Sequence, residues 1–212
     1  CFTNYCKVSY AVAVNSATSA LHLACLALGV GADDIVWTSP VTFVASANCV
    51  LYCGGCIDFV DIDLITGNMC VEHLAAKLLI AEKFGKLPKV VIPVHLAGSS
   101  CDMKKIHELS IRYGFKIIED ASHAIGGEYS DEKIGSCRYS DITVFSFHPV
   151  KIITTAEGGL ATTNNKKLFT YMQLFRSHGV TRDPGLMTKD SEGGWYYQQV
   201  DLGFNYRMTE LQ

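Results

Sequence analysis

One lysine stands directly after an apolar segment, where its side chain is suited to covalent chemistry. Lys151 follows the β-rich run Ile142–Phe147, and a run this short predicts a buried strand. Burial of an ammonium group is costly and lowers its pKa. An amine with a lowered pKa is the nucleophile that forms an imine with a carbonyl cofactor. Taken alone, the segment is more typical of a strand-end lysine that reaches solvent.

Three hydroxyl residues near the start of the chain stand where a strand passes into a helix. Ser16, Thr18 and Ser19 follow the predicted strand Val12–Val14 and begin a helix predicted over Ala17–Leu28. Free backbone N–H groups and the dipole at a helix N-terminus attract anions. The alternative is that Ser16 only caps the helix. The segment therefore predicts a phosphate site or an ordinary helix cap.

A carboxylate ends another predicted strand. Asp120 closes Lys116–Asp120, and His123 follows in the next turn. A carboxylate at a strand end near a buried site can hold the protonated ring nitrogen of pyridoxal phosphate (PLP), which acts as an electron sink. His123 could stack on this ring or hydrogen-bond to it. The structural alternatives are a helix-capping aspartate and a core histidine.

Two further residues complete the predicted constellation. Ser146, five residues before Lys151, could reach a phosphate, and Phe43 at a strand-to-helix junction could stack on a planar ring. Their alternatives are a strand serine bonded to backbone and an ordinary core aromatic. A phosphate cup, a carboxylate and a lysine, in that order along the chain, predict a PLP site more specifically than any one of them.

These residues are separated by alternating strand-like and helical segments. Such alternation predicts an α/β domain on a mostly parallel sheet, in which ligands bind at the carboxyl ends of the strands. The predicted strands are Val12–Val14, Ile35–Thr38, Cys56–Val60, Lys89–Val94, Lys116–Asp120, Ile142–Phe147 and Gly159–Thr162. The predicted helices are Ala17–Leu28, Val44–Tyr52, Val71–Leu79, Met103–Tyr113 and Asn165–Ser177, and Thr181–Tyr197 is predicted as a loop.

The composition excludes several classes of partner. The 212 residues are 49% hydrophobic and carry a net charge of −3, so no basic field favours nucleic acid. No apolar stretch is long enough for a membrane span, and no signal peptide is recognisable. The nine cysteines are then expected to be reduced and buried in a cytoplasmic protein.

One pair of cysteines has the spacing of a metal or redox site. Cys53-Gly54-Gly55-Cys56 is a CxxC segment. It has no second ligand pair, so we expect no metal. It is predicted to join a helix to a strand rather than to begin a helix, which makes a redox role weak and favours a structural role for all nine thiols.

Segments along nearly the whole chain resemble the DegT/DnrJ/EryC1/StrS family of sugar-nucleotide aminotransferases. These segments are Asn15–Leu21, Thr42–Asn48, Phe59–Asp63, Pro93–Gly98, Glu119–Ala124, Ser146–Lys151, Glu157–Gly159 and Gly203–Met208. The resemblance implies the large domain of the PLP-dependent transferase fold-type I over residues 1–212. It also implies that a leading segment and a C-terminal small domain are absent, because the chain begins at Cys1 and ends within a predicted helix at Met208–Gln212.

The resemblance implies a role for each matching residue. Lys151 would bind PLP covalently and move the proton, and Asp120 would pair with the ring nitrogen. The other expected cofactor contacts are Thr18, Ser19, Phe43, His123, Ser146 and Asn205, the last reaching the phosphate of a neighbouring subunit in a homodimer. The expected substrate contacts are His148, Glu157, His178, Tyr206 and Arg207.

A subgroup of the family suggests the substrate. The segments His148–Gly159, Arg176–Asp183 and Gly194–Tyr197 resemble enzymes that make UDP-4-amino-4,6-dideoxy-N-acetyl-β-L-altrosamine on the route to pseudaminic acid. The implied reaction transfers an amino group from L-glutamate to C4 of a UDP-4-keto-6-deoxy-N-acetylhexosamine. One departure is Ile152-Ile153, where the family often has proline.

Two alternatives remain open at this point. Some relatives are PLP-dependent sugar dehydratases that use histidine in place of the lysine, and the presence of Lys151 argues against that reaction. A non-catalytic or sensory relative that binds a sugar nucleotide is the other alternative.

Overall fold

The computed structural model describes residues 1–212 and is built around a seven-stranded sheet. The strands are β1 Tyr10–Val14, β2 Ile35–Thr38, β3 Cys56–Phe59, β4 Val90–Ile92, β5 Lys116–Asp120, β6 Glu128–Tyr129, β7 Glu132–Lys133, β8 Ile142–Ser146, β9 Gly159–Thr163, β10 Val180–Thr181 and β11 Gln198–Gln199. Across the main sheet the order is β1-β9-β8-β5-β4-β2-β3. The neighbours from β8 to β3 run parallel, whereas β9 is antiparallel to both β8 and β1.

Helices cover both faces of this sheet, because its central strands bury side chains on either side. The helices are α1 Phe2–Cys6, α2 Ala17–Ala27, α3 Ala45–Tyr52, α4 Val71–Lys83, α5 Met103–Tyr113 and α6 Lys166–Arg176, with a 3₁₀ turn at Leu96–Gly98. In β4, Val90 and Ile92 pack into the core under α2, α3 and α6, whereas Val91 packs under α4 and α5. This alternation is the two-residue period of a strand buried on both faces.

The predicted α/β architecture and mostly parallel sheet are confirmed, with differences at the ends of elements. α4 continues to Lys83, four residues beyond the prediction, and ends before Gly85, whose φ is +63°. The short helix α1 and the hairpin of β6 and β7 were not predicted. The helix predicted at Met208–Gln212 is wrong, since these residues form only a turn. Met208 packs against a core cluster, but five residues are too few to offset the cost of starting a helix.

Strand direction brings the candidate residues to one edge of the sheet. β1, β5 and β8 all end at this edge. Ser16 lies just after β1, Asp120 is the last residue of β5, and the turn that carries Lys151 follows β8. The antiparallel β9 begins there, with Gly159 opposite Ser146. No helix combines the length and the apolar character that crossing a membrane requires.

Candidate active site

A cavity of about 320 Å³ opens at the carboxyl edge of the sheet. This volume suits a small organic molecule or cofactor. Residues that the sequence placed at separate strand ends line it together. They include Thr18, Phe43, Asp120, His123, Ser146, His148, Lys151 and Glu157.

One end of the cavity is built to bind an anion. The first N–H groups of α2 have no partners inside the helix, and Ser16 caps the helix by accepting from the Ser19 N–H at 3.1 Å. The Thr18 hydroxyl lines the cavity and makes no hydrogen bond within the protein. A phosphate would therefore meet free N–H donors, a hydroxyl and the positive end of a helix.

A glycine allows this cup to form. A Cβ on Gly159 would lie 2.4 Å from the carbonyl carbon of Ser16 and 2.5 Å from the N of Ala17. Real Cβ atoms do not approach backbone this closely, so the start of β9 packs against the start of α2 only because residue 159 has no side chain.

The Asp120 carboxylate is held by donors at both oxygens. Its Oδ1 accepts from the Ser122 hydroxyl at 2.6 Å and from the Ser122 N–H at 3.1 Å. Its Oδ2 accepts from the Ser46 hydroxyl at 2.6 Å, and Ser46 lies 2.9 Å from the Thr42 hydroxyl. Asp120 is only 4% exposed. Its orientation is therefore fixed before any ligand enters.

Lys151 lies on a turn closed by its own N–H to the carbonyl of His148, at 2.9 Å. Its amine makes no ion pair or hydrogen bond within the protein. Desolvation lowers the pKa of Lys151 below the ordinary value of 10.5, and the charge of Asp120 partly opposes this shift. A larger share of Lys151 is thus neutral near pH 7 than for a surface lysine.

His123 faces the same cavity and carries less charge than a free histidine. Its Nδ1 accepts from the Ala97 N–H at 3.3 Å. Partial burial and then the nearby charge of Lys151 lower the pKa of His123. A neutral imidazole beside the ring site can stack or hydrogen-bond without competing for the Asp120 carboxylate.

Exposed apolar and polar side chains both line the cavity. Phe43 is 71% exposed and Val150 is 78% exposed. Nε2 of His148 lies 3.8 Å from a carboxylate oxygen of Glu157, and both side chains are accessible. These two polar groups are placed to meet a ligand that extends out of the cavity.

The remaining predicted residues do not line this cavity. Ser19 is buried and its hydroxyl donates to Asn15 at 2.6 Å. Tyr206 lies 3.1 Å from Nδ1 of His22 and stacks on Phe204. The other three, His178, Asn205 and Arg207, are exposed and do not line the cavity. Roles for these five in the site would require a different arrangement or another chain.

The comparison with protein families covers the whole chain. The model of the DegT/DnrJ/EryC1/StrS aminotransferase family matches residues 1–212. The chain belongs to this family. The predicted family is therefore confirmed.

Two curated relatives are similar over nearly all of the chain. UDP-4-amino-4,6-dideoxy-N-acetyl-beta-L-altrosamine transaminase of Campylobacter jejuni is 41% identical over 98% of this chain and 51% of its own length. GDP-perosamine synthase of Caulobacter vibrioides is 42% identical over 100% of this chain and 52% of its own length. The chain thus spans about half the length of the curated relatives that it matches.

Solved structures of the family share this fold. PseC of Helicobacter pylori, an aminotransferase involved in the biosynthesis of pseudoaminic acid, matches with a TM-score of 0.84 and 34% identity, over 99% of this chain and 52% of its own. NtdA of Bacillus subtilis with bound cofactor PMP matches with a TM-score of 0.82 and 30% identity, over 100% of this chain and 44% of its own. The predicted PLP aminotransferase fold is confirmed, and the predicted cofactor is the one that family members bind.

The residues of this chain fit that cofactor. The cavity offers a free amine on Lys151, a carboxylate on Asp120 and an anion cup at Thr18, at three separate points of its lining. A planar ring with an aldehyde, a basic nitrogen and a phosphate needs these three groups. The unpartnered amine and hydroxyl, and the close approach of β9 to the start of α2 that Gly159 permits, are the observations that support the fit.

The sequence did not identify Ser46, Ser122 and Gly159 as parts of the site. Serine at such positions is common, and only the fold brings Ser46 to Asp120. Gly159 stood at a predicted strand start, where a glycine indicates a close backbone approach. That signal could have identified it.

Proposed function

We propose that this chain is the cofactor-binding part of an aminotransferase that moves an amino group from L-glutamate to C4 of a UDP-4-keto-6-deoxy-N-acetylhexosamine. The observation that supports it most is the free Lys151 amine in one cavity with Asp120 and the α2 anion cup. The Campylobacter relative carries the name of a transaminase for this sugar class.

Each residue of the cavity has a part in the proposed reaction. PLP, when bound, accepts the electron pair that remains after the α-proton of glutamate is removed. Asp120 would pair with the ring nitrogen, and Thr18 with the start of α2 would hold the phosphate. Phe43 and His123, which both line the cavity, would contact the ring.

Lys151 moves the proton in both half-reactions. Its neutral amine removes the α-proton of L-glutamate as 2-oxoglutarate forms, and it later delivers a proton to C4 of the sugar. Desolvation favours the neutral amine that the first step requires. His148 and Glu157 at the mouth are placed to orient the bound substrate.

We further propose that the site is completed in a homodimer. Phe43 and Val150 line the cavity and are exposed, and Val44 and Ile152, which stand close to them in the chain, are exposed too. Exposed apolar side chains of this kind are covered in protein interfaces. Asn205 is exposed and does not line the cavity of its own chain. It is therefore available for the phosphate of the partner. His178 and Arg207 are exposed as well, and the half-buried Tyr206 stands between Asn205 and Arg207 in the chain.

A cytoplasmic location is part of the proposal. All nine cysteines are free thiols, which agrees with a reducing compartment.

The experiment is an amination assay on the protein that contains this chain. Supplied with PLP, L-glutamate and a UDP-4-keto-6-deoxy sugar, it is expected to form the 4-amino sugar and 2-oxoglutarate, as measured by mass spectrometry. Lys151→Ala should abolish turnover and the borohydride-dependent attachment of PLP, whereas the exposed Lys166→Ala should retain both. A GDP-4-keto sugar serves as the comparison substrate, because one curated relative is a GDP-perosamine synthase.

The other outcomes separate the alternatives. Sugar-nucleotide binding without turnover would contradict the proposal in favour of a non-catalytic relative. Loss of a hydroxyl without amination would indicate a dehydratase. Retained attachment of PLP in Lys151→Ala would refute the role of Lys151.

A further inference from the structure

One buried asparagine outside the cavity bonds to the 3₁₀ turn after β4 at both of its ends. Asn68 is 4% exposed and does not line the cavity. Its Oδ1 accepts from the Leu96 N–H at 3.1 Å. Its Nδ2 donates to the carbonyls of Ser99 and Ser100, each at 3.1 Å. A single side-chain amide therefore holds the main chain on either side of the turn.

The segment that carries Asn68 is itself fixed. The Asp63 N–H donates to the Asn68 carbonyl at 2.9 Å, and Oδ1 of Asp63 accepts from the Thr66 N–H at 2.8 Å. An antiparallel bridge joins Ile62 to Met69, and Met69 is buried in the core. The Asn68 amide therefore reaches the turn from a segment that is anchored in the core.

The turn packs closely against His123. Ala97 has a φ of +51° and a ψ of +22°, a left-handed conformation that is uncommon for a residue with a side chain. In this conformation its N–H donates to Nδ1 of His123 at 3.3 Å. Gly98 has a φ of +90°, and a Cβ there would lie 3.0 Å from the His123 carbonyl oxygen. The turn thus meets both the ring and the main chain of His123.

The contact between Asn68 and His123 passes through main chain alone. These two are the only side chains outside residues 96–100 that bond to the main chain of that segment. The bonds within the turn, such as that from the Gly98 N–H to the His95 carbonyl at 3.2 Å, set its shape. Asn68 holds it in place, so the direction of the Ala97 N–H depends on Asn68.

The Ala97 bond determines where His123 carries its proton. A ring nitrogen that accepts an N–H has no proton of its own, so the neutral ring is protonated on Nε2. Nε2 makes no hydrogen bond within the protein. Protonation of Nδ1 would break the Ala97 bond. Partial burial and then the charge of Lys151 also lower the pKa of His123, and the charge of Asp120 opposes them.

We propose that Asn68 is a positioning residue for the cofactor site. By holding the turn, it directs the Ala97 N–H onto Nδ1 of His123 and keeps the ring neutral, with its proton on Nε2. His123 lines the cavity, so this form would offer a bound ligand a donor and would add no second positive charge near Lys151. That last step rests on the proposed function, whereas the state of His123 is measurable without cofactor or substrate.

The test is an NMR titration of the ring nitrogens of His123, in the protein that contains this chain and with PLP removed. His123→Gln identifies the signals. In the natural protein Nδ1 should be the unprotonated nitrogen. Asn68→Ala should raise the titration midpoint of His123 by about 0.5 pH unit, because the neutral ring loses one hydrogen bond. Lys151 and Asp120, whose charges also act on His123, are unchanged in this variant.

Two control variants should leave the midpoint where it is. Asn164 has a matching bond pattern away from the cavity, since it accepts from the Ser9 N–H at 2.9 Å and donates to the Ser136 carbonyl at 2.8 Å. Asn164→Ala therefore removes comparable bonds without touching the turn. Ala97→Gly keeps the N–H and suits a positive φ, so it should fold and retain the bond to His123.

The contrary outcomes are distinct. A proton on Nδ1 in the natural protein would overturn the proposal, and this measurement does not depend on the folding of a variant. An unchanged midpoint in Asn68→Ala, or an equal rise in Asn164→Ala, would also overturn it. The expected response of His123 in a protein that aminates no sugar nucleotide would contradict the proposed function and leave the role of Asn68 standing.

Discussion

Ser46 donates a 2.6 Å hydrogen bond to Oδ2 of Asp120, although 74 residues separate the two in the chain. The bond joins the start of α3 to the end of β5, and Ser46 is 0% exposed. A helix on one face of the sheet therefore fixes the carboxylate that faces the ring site. The cavity depends on this pairing as much as on the residues that line it.

Replacement of Ser46 should weaken both the fold and cofactor binding. Ser46→Ala leaves Oδ2 of a buried carboxylate without its donor, which costs about 1–3 kcal/mol in the free energy of unfolding. We expect the dissociation constant for PLP to rise as well, as measured by fluorescence titration. Ser122→Ala is the matched control, because the Ser122 N–H still donates to Oδ1. A larger effect for Ser122→Ala than for Ser46→Ala would contradict the role of Ser46.

Gly159 should tolerate no side chain. Gly159→Ala places a Cβ 2.4 Å from the Ser16 carbonyl carbon, and overpacking of this kind costs about 1–3 kcal/mol or more. The expected result is a lower melting temperature and weaker binding of inorganic phosphate and PLP. Gly31→Ala is the control, since a Cβ there meets no atom within 4 Å. Equal melting temperatures and equal phosphate affinities of the two variants would refute the close contact.

Lys151 should titrate at a lower pH than an ordinary lysine. Desolvation lowers its pKa and Asp120 raises it in part. In cofactor-free protein, acetylation of Lys151 should therefore rise with pH through a midpoint below 10.5, as followed by peptide mass spectrometry. Asp120→Asn removes the opposing charge and should move the midpoint to still lower pH. A midpoint that moves upward would show that the sign of this interaction is wrong.

Glu119 should stabilise the fold through its ionised form. Its Oε2 lies 2.8 Å from Nε2 of His95, and its Oε1 accepts from Thr143 at 2.9 Å and from Ser140. Burial raises the pKa of Glu119, but His95 and the two hydroxyls outweigh this and lower it. Because the folded-state pKa is depressed, this stabilisation is complete above about pH 4.3 and is lost as pH falls through the folded value.

Glu119→Gln tests this linkage. The amide places a donor against an existing donor, which should cost about 1–3 kcal/mol at pH 7. Urea unfolding at pH 7 and near pH 3.5 measures the free energy of unfolding of the variant and of the natural protein. The difference between these two free energies should be smaller at the lower pH. The exposed Glu108→Gln is the control. A difference that persists unchanged at low pH would contradict an ionised Glu119.

Much of the fold followed from local sequence patterns. The strands and helices around Lys151, Asp120 and the Ser16 cap were predicted because each has a short apolar run with a clear boundary. The order of strands was not predicted, since the antiparallel insertion of β9 between β1 and β8 depends on long-range pairing. Alternating patterns identify strands but do not show which strands pair with each other.

The residues that line the cavity were predicted better than the residues that hold them in position. Phe43, His123 and Ser146 were chosen by their places at strand ends, and all line the cavity. Ser46 and Gly159 act through tertiary contacts with Asp120 and Ser16 that no local pattern encodes. Asn205 and Arg207 were assigned through family resemblance, and their roles remain predictions for an assembled protein.

The edge position of β1 has a consequence for synthesis of the protein. β1 pairs in the sheet only with β9, so Tyr10–Val14 cannot join until Gly159–Thr163 has left the ribosome. Pairing across so long a stretch of chain is slow and leaves apolar strands exposed in the meantime. The anion cup after β1 is therefore assembled late, and a nascent chain that ends before Gly159 has no complete place for the phosphate.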